Sequence, residues 1–88
     1  MKKIVSVIKP FMLDQTILVY EDGNKIDAAT ANIDDLPNVV LDLARQYTLN
    51  DIELAGPVSY LNGIKKEINE LEMLTYGTNS INIKVISN

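Results

Sequence analysis

The sequence contains no cysteine and no histidine. Lack of cysteine removes disulfides, thiolate nucleophiles and cysteine-ligated zinc; lack of histidine removes imidazole ligands and the commonest general base near neutral pH. Most familiar catalytic constellations are excluded on these grounds. No stretch approaches the roughly 20 apolar residues of a spanning helix. Lys2 and Lys3 precede an apolar segment, but Ser6 interrupts it, Lys9 and Pro10 end it, and no small-residue cleavage pattern follows, so no secretory signal is expected. N-glycosylation sequons and lipidation motifs are lacking as well. The expected compartment is the cytoplasm, or the host cytoplasm should the gene belong to a virus. Positive charge is in short supply: eight Lys plus Arg stand against twelve Asp plus Glu, a net charge of −4. That field disfavours nucleic acid and anionic membranes as partners.

What is present is the composition of one globular domain, with 88 residues of which 47% are hydrophobic and 23% charged. A chain of this size buries only about 60 to 65% of its unfolded surface, and small domains commonly gain stability by associating. Homo-oligomerisation is therefore expected.

Residues 3–9 are nearly continuous in β-branched side chains (Ile4, Val5, Val7, Ile8), as suits a central strand covered on both faces, and Pro10 ends it by removing a donor. Residues 15–21 and 25–33 flank Asp22-Gly23-Asn24 and read as a hairpin. Asp34-Asp35-Leu36-Pro37 marks a helix start, with a capping Asp and a proline in the first turn. Leu36, Val39, Val40, Leu43, Ala44 and Tyr47 then form one helical stripe, with Asn38, Asp42, Arg45 and Gln46 outside it. Residues 51–55 alternate as a fourth strand, and Gly56-Pro57 leads into a second helix lined by Tyr60, Leu61, Ile64, Ile68 and Leu71. Lys65, Lys66, Glu67, Glu70 and Glu72 are expected on its outer side, and its end is placed near Leu74. Residues 80–87 alternate, with Ile81, Ile83 and Val85 on one side and Asn82 and Lys84 on the other, as in a half-exposed strand.

The resulting order, βββαβαβ, predicts an α/β domain over residues 1–88. Neighbouring consecutive strands and right-handed crossovers give a mixed five-stranded sheet of order 3-2-1-4-5 with two helices on one face. This order of elements resembles the ribonuclease H-like fold, shared by ribonuclease H, Holliday junction resolvases and the half-domains of actin-like ATPases. The opening Met1-Lys2-Lys3-Ile4, through Ile8-Lys9-Pro10-Phe11 and Leu13-Asp14, also resembles the start of PII nitrogen-regulatory signalling proteins. Those proteins continue with a helix, whereas Thr16-Ile17-Leu18-Val19-Tyr20 reads as a strand, and no PII binding residue is carried over.

Nucleases of the ribonuclease H-like class hold two metal ions with carboxylates from the first strand, the first helix and the end of the fourth strand. Here the first place holds Ser6 or Val7 and the last holds Leu54, Ala55 and Gly56; Asp14 lies beyond Pro10, and Asp42 lies on the polar side of its helix. Actin-like ATPases need a glycine-bearing hairpin whose amides hold phosphates, and Pro10-Phe11-Met12-Leu13-Asp14 has no glycine. Gly56-Pro57-Val58-Ser59 could offer amides to an anion, but the same residues are sufficiently explained as a strand-to-helix turn. No catalytic residue, cofactor or metal is assigned.

With both helices on one face, the other face of the sheet is bare, and if Ile17 and Val19 turn toward the helices, Leu18 and Tyr20 look out from it. The sequence thus reads as a non-catalytic protein-interaction or assembly module that binds protein partners and itself. Leu18, Tyr20, Asn82 and Lys84 are its candidate contact residues, on the bare face and the edge strand. Small accessory proteins of viruses and mobile elements often have this character. Two alternatives stand beside it: a PII-like sensor of a small ligand or nucleotide, and an acidic inhibitor of a nucleic-acid enzyme using Glu21, Asp22 and Asp27 around the hairpin.

Overall fold

The computed structural model describes residues 1–87. Strands β1 (Lys2–Val7), β2 (Asp14–Glu21) and β3 (Asn24–Asn32) form an antiparallel meander. A 3-10 turn (Ile33–Asp35) leads into α1 (Leu36–Gln46), then β4 (Asp51–Gly56), α2 (Val58–Tyr76) and β5 (Asn82–Ser87). The sheet order is β3-β2-β1-β4-β5, with β4 parallel to both β1 and β5. Order and strand pairing agree with the sequence-based expectation.

The hairpin turns at Asp22 (φ 51°) and Gly23 (φ 83°), the positive-φ pair that matches strand twist in two-residue hairpins. Ile4 and Ile8 on the first strand and its continuation, Ile17 and Val19 on β2, and Ile52 and Leu54 on β4 point to one face. There they meet Leu36, Val40 and Leu43 of α1 and Leu61, Ile64 and Ile68 of α2 in one continuous core. Both helices therefore cover the same face. Each fully buried aliphatic side chain contributes about 1.5 to 3 kcal/mol relative to an exposed one, and the stripe on each helix supplies that gain.

Several local expectations are corrected. β1 is covered on one face only: Val5 is half-buried and Val7 is 48% exposed, because no element packs over the second face. The 3-10 turn ahead of α1 is capped by Asn32, whose side chain accepts from the Asp34 N–H at 3.0 Å, whereas Asp35, at the N-cap of α1 itself, makes no side-chain cap. α2 continues to Tyr76 and ends at Gly77, whose φ of 71° is the left-handed cap that glycine favours. Tyr60 lies exposed rather than in the core, and Glu72, expected outside, is buried. Leu41 joins the buried set although the stripe omitted it.

Candidate interaction surface

The register places three rows of side chains on the helix-free face. Tyr20 of β2 neighbours Lys3 of β1, Leu18 neighbours Val5, and β1 continues the rows onto β4, where Val5 pairs with Glu53 and Val7 with Ala55. On β5, Asn82 neighbours Asp51 and Lys84 neighbours Glu53. Leu18 and Tyr20 are half-buried, and Asn82 and Lys84 are exposed. All four therefore share the expected face, but β1 and β4 separate the two pairs, a span of about 15 Å at ordinary strand spacing. Between them lie Val5, Val7 and an ion pair of Lys3 with Glu53. The face is apolar toward β2 and charged toward β5.

An exposed apolar tip adjoins it. Phe11, Met12 and Leu13 follow Pro10 in the loop after β1; Phe11 is fully exposed and Leu13 is 74% exposed. The loop is held from below by Gln15, only 2% exposed. Its Nε2 donates to the Lys9 carbonyl at 2.7 Å and to the Met12 carbonyl at 2.8 Å, and its Oε1 accepts from the Lys9 N–H at 2.9 Å. Met12 also borders a shallow recess with Val7, Thr16 and Leu18, which joins the tip to the helix-free face. The sequence reading passed over this tip; the available signal was three consecutive apolar residues inside a loop.

The Gln15 clamp bears on phosphate chemistry at the β1–β2 turn, because it occupies the Lys9 amide while the Met12 N–H donates to the Lys9 carbonyl at 3.0 Å. Ser6 is buried, and its hydroxyl donates to the Thr16 carbonyl at 2.8 Å. Gly56 is explained by packing. Its φ is 147°, and a Cβ there would meet the Ile8 carbonyl oxygen at 3.1 Å. No group of three or more Asp or Glu side chains gathers to hold a metal among the described residues. The helices described include none long and apolar enough to cross a membrane.

The acidic side chains largely have local roles. Glu21 lies 4.0 Å from Lys2, Asp22 pairs with the N-terminal ammonium, and Glu70 lies 3.9 Å from Lys66. Asp27 accepts from the Tyr47 hydroxyl and from the Ala28 N–H. Those two donors, Tyr47 first, hold its carboxyl below the usual Asp range, and the same bond raises the Tyr47 hydroxyl. Glu72 closes the turn between α2 and β5: its Oε2 accepts from the Ser80 hydroxyl at 2.9 Å, the Ser80 N–H at 3.2 Å and the Thr78 hydroxyl at 3.3 Å. Its Oε1 is buried without a hydrogen-bond partner among the described residues.

No described protein family and no curated protein matches the sequence. Among solved structures the chain is similar to a Bacteroides thetaiotaomicron VPI-5482 protein described as having an actin-like ATPase fold and unknown function. The TM-score is 0.68 at 17% identity, over 97% of this chain and 32% of that one. This chain thus spans about a third of the length of that protein, and the likeness concerns the fold. The mixed five-stranded sheet of order 3-2-1-4-5 with two helices on one face is the ribonuclease H-like arrangement that the order of elements implied, and it matches part of the fold described as actin-like in that protein. The PII-like opening finds no counterpart: β2 follows Pro10 and Phe11 where those proteins have a helix.

Proposed function

We propose that the protein is a non-catalytic assembly and protein-binding module that associates with itself. The observation that carries this reading is the helix-free face, where Val5, Val7, Leu18 and Tyr20 remain partly accessible beside the Phe11–Met12–Leu13 tip. Apolar area gathered on one side of a small domain favours association, because covering it recovers about 25 cal/mol per Å². The clamped tip adds an aromatic anchor whose loop is already ordered, which reduces the entropic cost of docking. An accessory role of this type, for a cell or a virus, needs no cofactor.

Solution mass by light scattering across a concentration series tests the reading. A stable oligomer at accessible concentrations supports it, and a monomer at every concentration refutes self-association. Comparing Leu18→Glu and Tyr20→Glu with the native chain then separates a contact through the face from one elsewhere, provided circular dichroism shows both variants folded.

A further inference from the structure

The two edges of the sheet, β3 and β5, differ. The β2–β3 register shifts between Val19 and Tyr20, so β3 carries an irregularity, and it turns the Asp27 carboxylate toward α1, where Tyr47 holds it. Bulges and inward-pointing charges are devices that keep an edge from accepting another strand. β5 has neither. It pairs with β4 in unbroken register from Asp51↔Asn82 to Gly56↔Ser87, lacks proline, and bears one charge, Lys84. The Asn82 N–H donates to the Asn50 carbonyl at 2.7 Å. Successive residues of a strand turn their backbone groups to opposite sides, so Asn82, Lys84 and Ile86 address β4, while Ile83 and Val85 address the open edge.

We propose that this edge pairs antiparallel with β5 of a second copy of the chain, about a two-fold axis at Ile83, giving one sheet continuous across both copies. The proposal rests on the self-association reading and specifies its geometry. In a two-fold antiparallel pair one residue faces its own counterpart, and the side chains choose which. An axis at Lys84 would set ammonium against ammonium, which is unfavourable. An axis at Val85 would set Lys84 against Ile86 and Ile83 against Ser87. An axis at Ile83 sets Ile83 against itself, Ile81 against Val85, and Asn82 against Lys84, whose ammonium donates to the amide oxygen. Of these three registers only that one matches apolar with apolar on the helix-bearing side and polar with polar on the other across residues 81–85; an axis at Asn82 would carry the pairing beyond the start of β5, with Ser80 against Lys84. The axis at Ile83 extends the core row formed by buried Ile83 with half-buried Ile81 and Val85. Because each copy then ends at its irregular β3, pairing stops at a dimer instead of continuing into a filament. The helix-free faces of both copies lie on the same side, with the Phe11 tips uncovered.

The chain has no cysteine, so single introduced thiols report the register without ambiguity. Asn82→Cys and Lys84→Cys are made separately, mixed in equal amounts and oxidised, and the products are weighed by mass spectrometry. Directly opposed positions fall within disulfide reach, whereas like positions lie diagonally, about 7 to 8 Å apart. The mixed disulfide is expected to exceed each homodisulfide about tenfold. Asn82→Lys is expected to weaken the dimer about tenfold, and the exchange N82K/K84N to restore it. General charge repulsion predicts the reverse for Asn82→Lys, since that change reduces the net negative charge. A native chain that stays monomeric overturns both this proposal and the reading beneath it. An oligomer sensitive to Leu18→Glu but not to Asn82→Lys, with disulfides formed at random, overturns the β5 pairing and leaves self-association standing.

Discussion

Replacing Gln15 by Leu removes the clamp under the apolar tip while keeping the site filled. Three neutral hydrogen bonds are lost, to the Lys9 N–H and to the Lys9 and Met12 carbonyls. At about 1 kcal/mol each the direct loss is about 3 kcal/mol. Burying a leucine in place of an amide returns part of this, of order 1 kcal/mol, and leaves a net cost of about 2 kcal/mol. For a domain of this size that corresponds to a fall of about 8 to 16 °C in Tm. Equilibrium urea unfolding measures the total, and amide hydrogen exchange localises it, since the Lys9 N–H should lose protection before any amide of β1. Gln15→Glu sharpens the comparison. A carboxylate accepts from the Lys9 N–H as the native oxygen does, but it opposes two carbonyl oxygens where Nε2 donated. This variant should be less stable than Gln15→Leu at neutral pH and should recover in mild acid, because the protonated carboxyl again donates. The burial of the site raises the carboxyl in the folded variant, so its stability is retained at low pH and lost as pH rises through that shifted range. A cost below about 0.5 kcal/mol for Gln15→Leu, with Lys9 protection unchanged, would refute the clamp as the element that orders the tip.

Three other outcomes follow from the packing. Tyr47→Phe should let the Asp27 carboxyl return toward its ordinary range, a rise readable as a shifted titration midpoint by carbon-detected NMR. In the native chain, stability from the lowered Asp27 carboxyl is present above the unfolded Asp range and lost as pH falls through the folded one; an unchanged midpoint in Tyr47→Phe rules the bond out as its cause. Gly56→Ala should destabilise by about 1 to 3 kcal/mol, because the new Cβ meets the Ile8 carbonyl in a backbone conformation that side chains rarely adopt; full native stability by urea unfolding would contradict the close approach. Glu72→Leu should increase exchange at the Ser80 amide more than at core amides of β4, since that amide loses its acceptor; uniform exchange would show that the carboxylate does not secure the turn.

Much of this fold was legible because its chief determinants are local. Ile17 and Val19 alternate with Leu18 and Tyr20, so strand periodicity set the two pairs on opposite faces, as it set Asn82 and Lys84 opposite Ile83, but both pairs of β2 are apolar and only the packed structure shows which one the helices cover. The reading failed where a distant partner decides. The buried stripe of α2 runs through Leu61, Ile64, Ile68 and Glu72, and the last member is a carboxylate only because Thr78 and Ser80 supply donors across a turn. Tyr60 fits the helical spacing equally well but lies at the margin of the packed surface. Val5 and Val7 have the composition of residues covered on both sides, and nothing local says that one cover is missing. Gln15 resembles any polar residue at a strand end until the loop it binds is seen folded over it.

The position of β4 has a consequence for how the chain assembles. β1, β2 and β3 follow one another and close through short loops, whereas Ile4 meets Ile52 only after the whole of α1 has intervened. β5 in turn has no template until β4 is seated. During synthesis the meander emerges first, with the inner side of β1 open to any passing strand until residue 56 has left the ribosome. Local pairings form quickly and distant ones slowly, so the insertion of β4 is the step at which folding and misassembly compete.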